Sequence, residues 1–317
     1  MVRTLKTLLL TGVLTLGVCV VGCNKNTTEK EETLKVTLVL TEGGVNDESF
    51  NQSAWNGALA IKEKYDVEVN YLESKQESDY GVNIETAVDN ESDVIVGVGY
   101  KLADKMLEAA ENYPDVKFVM IDATYDEIPE NMVTTTFDES EAGYLAGLVA
   151  GKVSKSNKFG FIGGMDIPTV SQFAVGYEKA LKEINPKNEL FIQYANSFTD
   201  ASKGRAISAS MYGNGIDVIF TAGGGVNNGV FESARELGKL GVGVDLPCNK
   251  LAPDNVITSA LKNINVGVEK SVESIINNAF EGGKNVVYNL ENGGVGYEKT
   301  HLISEDIIEF VDGKMAK

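Results

Sequence analysis

The residues of this chain best suited to chemistry gather directly after short apolar runs. Asn46-Asp47-Glu48-Ser49-Phe50-Asn51 follows Leu34–Leu40, and Asp122 follows Phe118–Ile121. Phe198 and Asp200 follow Leu190–Tyr194, Asp245 follows Val242–Val244, and Lys262 lies just past Val256–Ser259. Taken singly, each is also what a helix cap, a turn or a solvated loop end looks like; Asp47 or Ser49 can cap the helix whose first turn holds Phe50. Together they offer the aromatic faces of Phe50 and Phe198, the carboxylates of Asp47, Asp122 and Asp245, the amide of Asn46 and the ammonium of Lys262. Aromatic rings stack on a planar base, and carboxylates accept hydrogen bonds from ring N–H groups and sugar hydroxyls. The set matches the demands of a nucleoside-shaped ligand.

Other chemistries find less support. His301 is the sole histidine among 317 residues, so a Ser-His-Asp or Cys-His arrangement needs it as base. It lies far from any strand end and is expected at the surface. No His/Cys cluster has zinc spacing, and no metal or cofactor is expected. Gly163-Gly164 and Gly223-Gly224-Gly225 follow apolar runs, where ligands bind in open α/β sheets, yet neither completes a dinucleotide or P-loop fingerprint. Asp and Glu are plentiful without a spacing that singles out a catalytic pair, and nothing asks for an enzyme. A formal net charge of −18 speaks against nucleic acid, which demands a field of Lys and Arg.

Alternating β-rich and helical patterns must position these clusters. Leu34–Leu40, Val67–Leu72, Val94–Val98, Lys117–Ile121 and Met132–Phe137 read as strands, with helices over Ser49–Lys64, Asp79–Asp89 and Lys101–Tyr113 between them. A second series has strands at Lys158–Ile162, Leu190–Tyr194, Val218–Thr221 and Val242–Val244, and helices at Val170–Ile184, Asp200–Tyr212 and Val226–Leu237. Val256–Ser259 (strand), Asn265–Glu281 (helix) and Val286–Leu290 (strand) form a tail that can cross back between lobes. Continuous apolar strands are expected where helices cover both faces of a parallel sheet. The reading is α/β with two lobes: 34–137 plus 257–282, and 138–256 plus 283–317. Helix Glu139–Val153 carries Gly143, Gly147 and Gly151 nearly in line. Each costs about 1 kcal/mol of helix propensity, so the stripe implies close packing against a partner rather than exposure.

The first residues read as an address. Arg3 and Lys6 precede an uncharged run from Leu8 to Val21, of about 14 residues: too short for a bilayer of ~30 Å and right for a signal peptide. Val20-Val21-Gly22-Cys23 matches a bacterial lipobox, which places cleavage after residue 22, a diacylglycerol anchor on Cys23 and a polar tether over 23–33. The expected location is the extracytoplasmic face of a cell membrane, held by lipid. Of the three cysteines, Cys19 and Cys23 fall in this segment and Cys248 is left without a disulfide partner.

At these motifs the sequence resembles the basic membrane protein family of ABC-transporter substrate-binding lipoproteins, which includes the PnrA-like purine nucleoside receptors. The resemblance runs from about Lys35 to the C-terminal region. It rests on Asn46–Asn51 with Trp55 and Gly57, Glu141–Gly147, Phe161–Gly164 with Pro168, Phe173 and Gly176, and Ser197–Asp200 with Lys203 and Gly204. Gly223–Gly225 with Gly229, and Gly243–Asp245, complete it. It implies the type I periplasmic-binding-protein fold, two Rossmann-like lobes with parallel sheets joined by a hinge, and ligand in the cleft. It implies that Phe50 and Phe198 sandwich the base, with Phe173 the competitor for the second face. Asn46, Asp47 and Asp122 would then bond the base edge, while Asp245 and Lys262 hold the ribose. The partners implied are a nucleoside and an ABC permease with its ATPase. After Asp245 this chain continues Leu246-Pro-Cys-Asn249, where the family usually shows acidic and amide residues. A receptor for a sugar or signalling compound, or a surface adhesin or sensory lipoprotein, remains as an alternative. A regulator of the same fold would need a DNA-binding helix pair where the address lies.

Overall fold

Apolar strands without polar alternation need cover on both faces, and the computed structural model, which describes residues 33–315, shows that cover. The first sheet takes β1 (Leu34–Leu40), β2 (Val67–Glu73), β3 (Val94–Val98), β4 (Lys117–Ile121) and β5 (Met132–Phe137). The second takes β6 (Lys158–Gly163), β7 (Glu189–Tyr194), β8 (Val218–Ala222), β9 (Leu240–Asp245) and β10 (Val256–Lys262). β11 (Lys284–Tyr288) completes the first sheet and β12 (Val295–Tyr297) the second. The strand orders are β11-β5-β4-β3-β1-β2 and β12-β10-β9-β8-β6-β7, so the two sheets repeat one topology. Central β3 and β8 are buried along their whole length, whereas the edge strands β2 and β7 keep several residues exposed. All pairings are parallel except that of β12 with β10.

Two strands of the tail differ from the expected lobe boundaries. Val256–Lys262 pairs with β9 in the second sheet, not the first, and Lys284–Tyr288 pairs with β5 in the first sheet, not the second. Local pattern gives a strand its length; its sheet is decided by which edge is open when the chain arrives. Each sheet borrows its last strand after a crossing. The helix expected over 265–281 ends early, at Ile276, and β12 and a helix at Glu305–Met315 were not expected.

The helices of the first lobe are α1 (Phe50–Lys64), α2 (Asp79–Asp89) and α3 (Ala103–Asn112), joined by α8 (Ile264–Ile276), which packs on α1. The second lobe has α4 (Glu139–Val153), α5 (Pro168–Ile184), α6 (Ala201–Gly213) and α7 (Val226–Leu237), with α9 (Glu305–Met315) beside α4. The chain therefore crosses between lobes after Phe137, after Lys262 and after Tyr288. Hydrogen bonds tie the crossings together: Asp138 N–H donates to Tyr288 O at 2.8 Å and Asn263 N–H to Gly294 O at 2.8 Å. Leu290 N–H donates to Glu141 Oε2 at 2.8 Å.

The glycine stripe of α4 packs as expected. A Cβ on Gly143 would stand 2.2 Å from Phe173 O, and one on Gly176 of the facing α5 would stand 1.8 Å from Ser140 O. The two helices approach to backbone contact, which only hydrogen in place of a side chain allows. The basic-apolar segment, Cys23 and nearly all of the tether lie outside the described residues. Among the described residues no helix is long and apolar enough to cross a membrane.

Candidate functional site

Because the sheets share one topology, β4 and β9 hold equivalent places, and both end in an aspartate. Asp122 follows β4 with φ 65° and Asp245 closes β9 with φ 64°. A left-handed backbone at a residue other than glycine costs on the order of 1–3 kcal/mol and gathers at binding sites. Here it turns two acidic side chains into the space between the lobes, where both border one cavity.

Asp47, Phe50, Asp122, Phe198, Asp245 and Lys262 all border this cavity. Asn46 does not: it is exposed and borders a separate, more polar hollow with Glu73 and Lys75. The loop before α1 carries Asn46 outward, and the amide residue that borders the cleft is Asn51, in the first turn of the helix. Asn51 is itself committed, donating from Nδ2 to Thr41 O at 3.3 Å and Gly44 O at 3.2 Å.

Asp47 has a local task. Its Oδ1 accepts from Ser49 N at 2.9 Å and Gln52 N at 3.0 Å, and its Oδ2 from Asn51 N at 2.9 Å. These are the orphan amides of the first turn of α1, so Asp47 caps the helix that presents Phe50. Burial nevertheless pushes its carboxyl above the usual range.

The two rings come from different lobes. Phe50 opens α1, half-buried; Phe198 lies half-buried in the loop after β7. Gly164 makes room for Phe198, since a Cβ there would stand 2.4 Å from Phe198 Cδ1. Phe173 also reaches the cavity wall but is 3% exposed and packs edge-on to Phe220, ring centroids 5.8 Å apart. Phe198 therefore presents the freer face. Gly223 and Gly224 border the cavity too.

Lys262 is the electrostatic centre. It is 2% exposed, and its Nζ donates to Asp122 Oδ2 at 2.6 Å and Glu139 Oε1 at 2.9 Å. The same ammonium lies 5.4 Å from the Phe50 ring centroid and 5.1 Å from that of Phe137. Burial pulls against its charge, but the carboxylates of Asp122, Glu139 and Asp245 outweigh that and raise its pKa above the ordinary value. Glu139 is raised by burial, with Lys262 opposing. Asp245 is pushed up to about 7 by burial, against Lys262 and a hydrogen bond from Ser49 Oγ to its Oδ2. That bond joins the lobes directly. Asp122 Oδ1 is buried and has no partner among the described residues. A buried acceptor without a donor costs about 1–3 kcal/mol unless something fills the place.

Glu139 was missed in the sequence although it follows the end of β5, the same edge that singled out Asp122. Ser49 was read only as a possible cap. Leu246-Pro-Cys-Asn249 turns away from the cleft: Cys248 is buried, and its N–H donates to Ser259 Oγ and Glu298 Oε2, both at 3.0 Å. His301 is exposed.

Two parallel-dominated sheets of one topology, joined by three crossings around a cleft lined by both lobes, define a solute-binding protein of the type I periplasmic fold. The chain belongs to the Bmp family, ABC transporter substrate-binding protein PnrA-like, whose family model it matches over residues 34–316. It is 34% identical to the ABC transporter nucleoside-binding protein BmpA of Lactococcus lactis, over 89% of this chain and 88% of that one. It is 35% identical to the CD4+ T-cell-stimulating antigen of Listeria monocytogenes, over 96% and 93%. Among solved structures, an ABC transporter solute-binding protein from Aeropyrum pernix K1 superposes with a TM-score of 0.78 at 26% identity, covering 89% of this chain and 80% of that chain.

Proposed function

We propose that this substrate-binding protein receives a nucleoside, with purines favoured, and delivers it to an ABC permease coupled to an ATPase. One observation carries the reading: an aromatic ring from each lobe and the paired left-handed aspartates border a single cavity. The base stacks between Phe50 and Phe198. Asp122 Oδ1, buried without a donor, accepts from a base N–H. Asp245 and the remaining proton of Lys262 hold the ribose hydroxyls, and Asp47 contributes by capping the helix that carries Phe50. The nucleoside-binding relative from Lactococcus lactis supports the ligand class. In this reading Cys23 carries the lipid that keeps the protein at the extracytoplasmic face.

Ligand entering an open cleft gains contacts to both lobes only on closure, and it shifts the equilibrium by that differential affinity. The crossings act as the hinge, and the closed form is the one that docks on the permease. The protein is a receptor and leaves its ligand unchanged. Titration of protein starting at Asn24 with adenosine, guanosine, inosine, cytidine and uridine tests the ligand. Binding of purine nucleosides in preference to pyrimidines is expected. A sugar or an amino acid binding where no nucleoside does would overturn the reading.

A further inference from the structure

Glu139 does not border the cavity, yet it is buried, and its carboxylate is committed to the ammonium that does. It occupies the first turn of α4, immediately after the first crossing, and Lys262 ends β10 at the second crossing. The two residues thus sit on neighbouring hinge segments, whereas Asp122 belongs to the rim of the first sheet. Lys262 Nζ has three protons: one goes to Asp122 Oδ2 and one to Glu139 Oε1. Without Glu139, Asp122 would be the one carboxylate hydrogen-bonded to the ammonium, which would be drawn toward both of its oxygens. Glu139 engages a second proton, and Asp122 Oδ1 is left without a donor among the described residues.

We propose that Glu139 is a positioning residue for ligand recognition: it holds Lys262 off Asp122 Oδ1, so that this oxygen stays free to accept from the ligand and one ammonium proton stays free to donate. The geometry of the three groups carries the inference, which rests on the binding reading above only for the identity of the ligand. Glu139 also fixes the ammonium beside the Phe50 ring, so the stacking face and the acceptor are set by one contact.

The test has a ligand-free arm and a binding arm. In a crystal structure of ligand-free Glu139→Gln, Lys262 Nζ is expected within hydrogen-bond distance of both Asp122 oxygens; an ammonium that leaves Oδ1 free overturns the inference whatever the ligand is. In the binding arm, Glu139→Gln is expected to weaken inosine at least about tenfold, in line with loss of one charge-assisted hydrogen bond. In an Asp122→Asn background the same substitution should change affinity less than about twofold, because the oxygen it protects is gone. Equal losses in both backgrounds indicate a merely structural residue and overturn the inference. Should Glu139→Gln fail to fold, Glu139→Asp goes through both arms: it keeps the charge but shortens the reach, and a smaller loss with the same background dependence is expected. If wild-type protein binds no nucleoside while the ammonium moves as stated, the positioning role stands and the nucleoside reading falls.

Discussion

Replacing Phe50 by alanine removes one face of the proposed sandwich and separates binding from stability. The ring opens α1, borders the cavity and lies 5.4 Å from Lys262 Nζ. Where that contact persists with ligand bound, its loss lowers stability and cancels from the affinity. What remains in the affinity is the stack on the base, worth about 1–3 kcal/mol by alanine substitution. At 1.4 kcal/mol per tenfold, Kd should rise roughly 5- to 150-fold. Calorimetric titration of wild type and Phe50→Ala with inosine or adenosine, alongside thermal unfolding without ligand, reads the two parts separately. Asn46→Ala is the control: its side chain borders another hollow and should leave Kd within about twofold. A Phe50→Ala protein that stays folded and binds nucleoside within twofold of wild type would refute the stacked base, and an Asn46→Ala loss equal to that of Phe50→Ala would refute the placement of the loop.

Burial holds the Asp245 carboxyl at about 7 against an ordinary 3.8. A folded state with the raised pKa binds more protons than the unfolded state, so this group's contribution is complete below about pH 4 and is lost as pH climbs through 7. Over that window it amounts to at most about 4 kcal/mol, at 1.36 kcal/mol per unit. Ligand-free wild type should therefore lose Tm from pH 4 to pH 7 relative to Asp245→Asn; parallel curves would place the carboxyl in water. Gly176→Ala puts a methyl 1.8 Å from Ser140 O, and the helix pair must separate. Overpacking of this kind typically costs about 1–3 kcal/mol, read as a lower urea midpoint, and an unchanged midpoint would deny the close approach. Cys248 is buried, with its thiol pushed up to about 12 by burial, so protein starting at Asn24 should show no native reaction with a thiol reagent and one equivalent after denaturation. Rapid native labelling would expose the Leu246–Asn249 turn as open.

What the sequence could disclose followed the range of the physics involved. β1, β3, β4, β5, α2, α4 and α7 were legible to the residue, because their apolar runs and periods are set within a few positions. The partner sheet of β10 and β11 was not, since local pattern marks a strand but not which distant strand it pairs with. The three-residue β12 is too short to leave a pattern. In the site, the strand-end rule found Asp122, Asp245 and Lys262, whose type and place both point to the cleft. It failed for Asn46, because a loop aims a side chain without any periodicity to read, and the helical phase that brings Asn51 inward begins only after Ser49. Glu139 went unread because its partner, Lys262, lies 123 residues away in the chain. Asp47, legible in sequence both as a helix cap and as a ligand contact, serves the helix amides and also borders the cavity.

A crystal structure of the protein with bound inosine decides whether both rings and Asp122 meet the base. The base is expected between Phe50 and Phe198 with a ring N–H within about 3.2 Å of Asp122 Oδ1, and the ribose against Asp245 and Lys262. Inosine bound elsewhere, or in the cleft with its base away from both rings and Asp122 Oδ1 still without a donor, would contradict it.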